Sequence, residues 1–297
     1  MKTSFMTSNL KPAKVGVGLF GNLKVERGLS LFPGDLERAF SVAKELGFDG
    51  IEISVANPKE ISLSKVKDLA SKYQVGISAI ATGGAAVRDG LIFSSPDKSI
   101  RKAAVQRNKN HIDFASHFSA VVVIGLIKGW VDGDYSQSED YVTECLKECN
   151  EYAREKNVNI ALEPINRFQE DFFNSILDCK KYLDKIHLSN VKMMIDSFHM
   201  NVEDTDMWGN MRQAKDYIVH VHYSDSNRLA PGMGHFNFIK MTEVLKEINY
   251  SGYISAEILP IPDSYTAARQ TITSMKSYLN QQGREKKGDL RYRNYGK

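Results

Sequence analysis

The chain has 297 residues, 42% of them hydrophobic and 25% charged. That is enough apolar material for a sizeable core and a usual length for one barrel of eight β/α units. The formal net charge is +3, but Arg284–Lys297 alone contributes +4 and leaves −1 for everything before it. A nucleic-acid binder would carry its basic surface on the folded body, so that class is set aside.

The strand-like runs, short, apolar and bounded by Gly, Pro, Asn, Asp or charged residues, are Val15–Phe20, Gly50–Ser54, Val75–Ala81, Ala120–Gly125, Asn159–Ile165, Val191–Phe198, Ile218–Asp225 and Tyr253–Leu259. Helical patterns fall between them. Asp35–Gly47 has apolar residues near helical spacing and a glycine stop. Ser95–Phe118 opens with Pro96 and Asp97, which suit a first helical turn. Ser138–Asn157, Leu177–His187, Phe238–Ile248 and Tyr265–Leu279 follow the later strands. Strands each followed by a helical stretch predict a parallel sheet with crossover helices, and eight such units predict a single-domain α/β fold, the (β/α)8 TIM barrel, over residues 1–283. A doubly wound sheet is the alternative, but no GxGxxG turn follows an early strand. Residues 284–297 read as a solvated basic polar tail without apolar periodicity, or a subunit contact.

Cys145, Cys149 and Cys179 form neither a CxxC pair nor an even-numbered framework, so they read as reduced structural thiols in a reducing compartment. No apolar run has the length of a signal peptide or a membrane span. A soluble cytoplasmic protein is expected.

The chemistry is carried by four ionisable residues. Glu163, Asp196, His222 and Glu257 each end a strand-like run, and they are spaced 33, 26 and 35 residues apart, about one β/α repeat each time. All four therefore fall at the carboxyl ends of strands five to eight, the rim on which barrels build active sites. One acid at a strand end is as often a loop cap or an ion-pair partner as a functional group. Four in phase are harder to explain that way. Three carboxylates and an imidazole converging on a point repel one another unless a cation holds them, and this oxygen-rich set suits Mn²⁺ or Mg²⁺, with Co²⁺ as a further option.

The segments around these residues are EPINRF (Glu163–Phe168), DSFHMNVED (Asp196–Asp204), HVHYSDSNRLAPGMGHFNF (His220–Phe238) and SAEILPIP (Ser255–Pro262). They resemble the signatures of the xylose-isomerase-like barrel superfamily and, within it, the ketose 3-epimerases that act on D-tagatose or D-psicose. ATGGAAVRDGL (Ala81–Leu91) and VIGLIKG (Val123–Gly129) resemble most a bacterial 5-keto-L-gluconate epimerase. The resemblance runs from about Val15 to Leu279. It implies a divalent-metal enzyme in which Glu163 and Glu257 bind the metal and also move protons on opposite faces of the reacting carbon, through a metal-bound enediolate. Asp196 and His222 are then ligands only. It further implies that His199 and Arg228 hold substrate oxygens, that the substrate is a small sugar, and that the protein assembles as a homodimer or homotetramer.

One position departs from the epimerase pattern: where those enzymes commonly carry an acid after NRF or NRY, this chain has Gln169. An amide still donates and accepts hydrogen bonds but carries no charge, which leaves the substrate open between a ketose and a keto-sugar acid. For the acid, Arg88 is a candidate partner of the carboxylate. Glu52 is a candidate acceptor for the His222 ring or a structural acid. Arg167 either pins the loop after strand five or contacts substrate, and Trp130 and Tyr135 either cover a sugar face or pack on a neighbour. Alternatives for the whole chain are an aldose–ketose or hydroxypyruvate-type isomerase, an inosose dehydratase, a metal-dependent abasic-site endonuclease, and a sugar-binding barrel without catalysis. The endonuclease needs many more ligands on the rim than seven histidines in the whole chain would supply.

Overall fold

The computed structural model describes residues 1–8 and 28–280. Val15–Phe20 and the tail at 284–297 lie outside the described residues. Eight parallel strands close into a barrel in sequence order: β1 (Lys2–Ser8), β2 (Gly50–Ser54), β3 (Gly76–Ala81), β4 (Val121–Ile124), β5 (Ile160–Leu162), β6 (Val191–Asp196), β7 (Ile218–His222) and β8 (Tyr253–Ala256). The single-domain (β/α)8 expectation holds.

The first strand corrects the sequence reading, which placed it at Val15–Phe20. β1 has the sequence KTSFMTS and closes the ring, Ser4 facing Gly50 of β2 and Ser255 of β8. A search for apolar runs overlooks it because Thr3, Ser4 and Thr7 are polar yet buried. Its neighbours explain this: Met6 pairs with Glu52 and Ser4 with Ser255, so this strand meets a barrel interior that is itself partly polar.

The helices are α1 (Leu36–Leu46), α2 (Leu63–Tyr73), α3 (Gly83–Asp89), α4 (Lys98–Ser116), α5 (Tyr135–Glu155), α6 (Ile176–Ile186), α7 (Ser197–Glu203), α8 (Met207–Gln213), α9 (Phe238–Glu247) and α10 (Ser264–Asn280). Local chemistry fixes their ends. The Asp35 carboxylate accepts from the Arg38 N–H at the start of α1, and Gly47 ends that helix in the left-handed region at φ 78°. Asp97 caps α4 by accepting from the Ser99 N–H at 2.7 Å, so Pro96 and Asp97 precede the first turn instead of forming it. Ser175 and Asn237 do the same for α6 and α9. The run expected as one strand over Val191–Phe198 stops at Asp196, because that carboxylate turns to cap α7.

Two layers of core result. The larger one fills the space between the sheet and the helices. A small second cluster lies inside the barrel: Met6, Ala79, Ala81, Val123, Ala161 and Met194. The inner lining of β1 and β3–β6 is thus mostly small or apolar, whereas Glu52 of β2 meets His220 and His222 of β7 in a polar network across the interior. Pairing slips by one residue between Ile51 and Glu52 on β2–β3, and between Met193 and Met194 on β6–β7. Such irregularities re-aim side chains next to sites, and here they lie beside Glu52 and opposite His220.

Phe5 anchors β1 to the helical layer; it is fully buried, 5.0 Å from the Phe48 ring edge-on and 5.9 Å from Phe32. Truncating a buried aromatic loses its burial and leaves a cavity. Phe5→Ala is expected to lower unfolding stability by about 3–5 kcal/mol, read from the midpoint of a urea titration at unchanged slope.

Candidate active site

β6 and β7 end on Asp196 and His222, while Glu163 and Glu257 stand one residue beyond β5 and β8. The closed ring brings all four to one level, and each offers an atom within 4.8 Å of those of the other three. The site residues expected from their spacing are therefore together in space. Glu163, His222 and Glu257 line a pocket together with Met6, Ser54, Ala81, Thr82, Gln169 and Arg228, and Asp196 lies buried beside it.

The donor set fits a divalent cation on its own evidence. His222 Nδ1 and Glu163 Oε1 are buried and without a hydrogen-bond partner, and Nδ1 stands 3.5 Å from a carboxylate oxygen of both Asp196 and Glu257. An unpaired buried polar atom is costly; these two, converging with the Asp196 and Glu257 carboxylates, fit a cation site. Gly125 is required beside it, since a Cβ there would come within 2.6 Å of Glu163 Oε2.

The other side of the imidazole is held by Glu52. His222 Nε2 lies 3.0 Å from Glu52 Oε2, and His220 Nε2 lies 2.9 Å from the same oxygen. Both rings turn Nε2 to a carboxylate buried in the barrel interior, so that His222 Nδ1 faces the cluster. Of the alternatives open for Glu52, the acceptor of the His222 ring is the one observed. His220 was missed from the sequence, where the first histidine of HVH gave the only signal.

The electrostatics follow from crowding. Burial and the facing Glu257 carboxylate push Glu163 up to about 8. Burial alone would also raise Asp196, but the Arg228 guanidinium beside it and the neighbouring His222 hold it well below the usual carboxylate range. Burial disfavours a charge on His222, yet Glu52, Asp196 and Glu257 around it raise its pKa well above that of a free imidazole. Arg228 is 7% exposed, with Nη1 2.8 Å from Asp196 Oδ2, Nη2 on Glu257, and the guanidinium 4.7 Å from the Phe198 ring.

Asn166 organises the side of the pocket formed by the loop after β5. Its amide donates to Gln169 Oε1 at 2.8 Å and to His199 Nδ1 at 2.7 Å. This arrangement directs the Gln169 amide N–H groups, and the His199 Nε2 proton, away from Asn166. Burial and then the nearby Arg228 charge lower His199 to about 3, against the pull of Asp196, so it is neutral; its Nε2 is 3.7 Å from Glu163 Oε1.

Arg88 departs from its expectation. Its guanidinium is paired with Glu60 and Asp89 at 2.5 and 2.7 Å, and it does not line the pocket. Its position in the last turn of α3 beside two acids accounts for this. Arg167 pairs with Glu203 of α7, which is the loop-pinning role. The Trp130 indole donates to the Gln169 carbonyl, and Tyr135 packs on Phe172. Lys128 and Glu170, fully buried and 3.3 Å apart beneath the same loop, were also missed. The one signal for Lys128 was a lysine inside an otherwise apolar turn.

Metal ligands must be deprotonated, while Glu163 at about 8 and the raised His222 hold protons at neutral pH in the metal-free protein. Adding Mn²⁺ near pH 7 is therefore expected to release protons to the buffer. Affinity should climb with pH as these protons are lost. Calorimetry in buffers of different ionisation enthalpy reads this, and pH-independent binding without proton release would contradict it.

Comparison with known proteins agrees with this geometry. The family model for the xylose isomerase-like TIM barrel matches residues 40–278. The D-psicose 3-epimerase of Ruminiclostridium cellulolyticum is 30% identical over 226 residues, 73% of this chain and 75% of that protein. The 3-dehydro-D-guloside 4-epimerase of Escherichia coli is 26% identical over 245 residues, 77% and 88% of the two chains. Among solved structures, the D-allulose 3-epimerase of a Methylomonas species superimposes with a TM-score of 0.77 at 21% identity, covering 94% of this chain and 98% of the other. The chain belongs to the xylose isomerase-like TIM barrel family.

Proposed function

We propose that the chain inverts carbon 3 of a ketose or keto-sugar acid in a divalent-cation-dependent reaction, with Glu163 and Glu257 as its two proton-transfer groups. That it is a carbohydrate epimerase accords with its curated relatives, which are named ketose 3-epimerases and a 4-epimerase. The observation that carries the reading is the convergence of the unpartnered Glu163 Oε1 and His222 Nδ1 with Asp196 and Glu257 in one cluster.

A divalent cation bound there, Mn²⁺ in our reading, supplies electrostatic stabilisation where negative charge develops on the substrate oxygens. The protein's own groups do the rest. β5 and β8 stand three strands apart around the ring, so Glu163 and Glu257 enter from different sides of the reacting carbon. One carboxylate removes the proton next to the ketone and the other delivers a proton to the opposite face, which inverts the centre. Asp196 and His222 hold position, His222 through its bond to Glu52. The His199 Nε2–H, the Gln169 amide and Arg228 offer donors to substrate oxygens, and a donor at Gln169 accepts a neutral or an anionic sugar alike.

A homodimer or homotetramer remains our expectation for the assembly, and the cytoplasm for its place, on the strength of three buried free cysteines. Among the described residues no helix is long and apolar enough to cross a membrane.

Two measurements test the reading. A screen of ketoses and keto-uronates with Mn²⁺ in deuterated water should show inversion at carbon 3 with deuterium there alone; an aldose product, with any deuterium at carbon 1 or 2, would instead establish an aldose–ketose isomerase. Glu257→Gln should lower kcat by about 10²–10⁴-fold, and unchanged turnover would remove Glu257 from proton transfer.

A further inference from the structure

A lysine with no exposed surface needs an explanation, and that of Lys128 lies in the backbone of Glu163. β5 is only three residues long, and its pairing with β6 ends at Leu162 opposite Met193. Glu163 is the next residue. Its N–H is still held by the Ile124 carbonyl of β4 at 3.0 Å. Its own carbonyl has outrun the β5–β6 ladder, and Pro164, which follows, has no N–H with which to start a turn. A buried carbonyl without a donor is costly.

Lys128 supplies the donor. It sits in the short 3-10 turn Leu126–Lys128 after β4, between Gly125 and Gly129, and its Nζ donates to the Glu163 carbonyl. Gly125 gives the Glu163 carboxylate its room, and the same turn delivers the amino group to the Glu163 carbonyl. The lysine is held in turn. Its N–H donates to Gly125 O at 3.0 Å, its carbonyl accepts from the Ser94 N–H at 3.0 Å, and its Nζ pairs with Glu170 Oε2 at 3.3 Å. Glu170 is fixed from the other side, where the Phe172 N–H donates to Oε2 and Asn174 donates to the Glu170 carbonyl.

We propose that Lys128 is a positioning residue for Glu163: its buried amino group replaces the missing strand donor on the Glu163 carbonyl and so sets where that carboxylate stands in the cation cluster, with Glu170 as its counter-charge. This rests on the metal-dependent reading above. A generic core ion pair would do neither job; it would only add or subtract stability.

The two roles separate in one set of variants of the full chain: Lys128→Met, the double variant Lys128→Met with Glu170→Met, and Glu170→Gln. Each is measured by thermal melting and by Mn²⁺ calorimetry. Lys128→Met alone leaves Glu170 buried and unpaired, and its melting temperature should fall. The double variant removes both charges, and replacing a buried ion pair by apolar side chains is often neutral for stability. Its melting temperature should return toward wild type while its Mn²⁺ affinity stays at least tenfold weaker. Glu170→Gln keeps the amino group on the Glu163 carbonyl, so its affinity loss should be several-fold smaller than that of the double variant. Recovery of both melting temperature and Mn²⁺ affinity in the double variant would overturn the proposal. If the double variant does not fold, a tenfold affinity loss in Glu170→Gln would overturn it equally. A wild-type chain that binds no Mn²⁺ would refute the metal reading itself, a result distinct from either.

Discussion

Three carboxylates brought to within 4.8 Å of one another and of an imidazole at the top of a barrel repel one another until positive charge joins them, and much of this molecule can be understood as holding that repulsion in place. Burial and the neighbouring Glu257 charge act on Glu163 in the same direction, which is why its carboxyl rises to about 8. Asp196 is held down by Arg228. The protein thus keeps the four groups in reach with three kinds of support: Arg228 for Asp196 and Glu257, Glu52 for His222, and backbone anchoring for Glu163.

That arrangement shapes the barrel beneath it. A packed barrel interior is normally filled by branched aliphatic layers, but here Glu52, His220 and His222 form a polar network across it, and the remaining inner positions shrink to Ala79, Ala81 and Ala161 with Met6, Val123 and Met194. The two register slips beside Glu52 and opposite His220 belong to the same adjustment. So does the odd composition of β1, whose inward Ser4 and Met6 face this interior while Phe5 points into the helical layer. The polar network below the cation site and the small side chains around its pocket are two consequences of placing charge inside a closed sheet.

Much of this was legible from residue order. The repeat of apolar runs and amphipathic stretches gave the barrel, and the spacing of Glu163, Asp196, His222 and Glu257 gave the site, because in a closed ring of β/α units a residue's place along its strand fixes its height. β1 was misread for the opposite reason: its burial depends on what it faces, and no local pattern records that Ser4 meets Ser255. Arg88 was misread in a similar way. Its charge is visible in the sequence, but its capture by Glu60, 28 residues earlier, is a tertiary event.

The sequence by itself determined the architecture, the four in-phase ionisable residues and the family resemblance, since each depends on periodicity and residue type. Only the tertiary structure decided which nitrogen of His222 faces the cluster, because Glu52 lies 170 residues away. It alone showed that Asn166 turns the Gln169 amide and the His199 ring, and that Lys128 completes the backbone of Glu163. Those facts are hydrogen bonds between separate turns of the barrel, and a hydrogen bond has a direction that spacing along a chain does not encode.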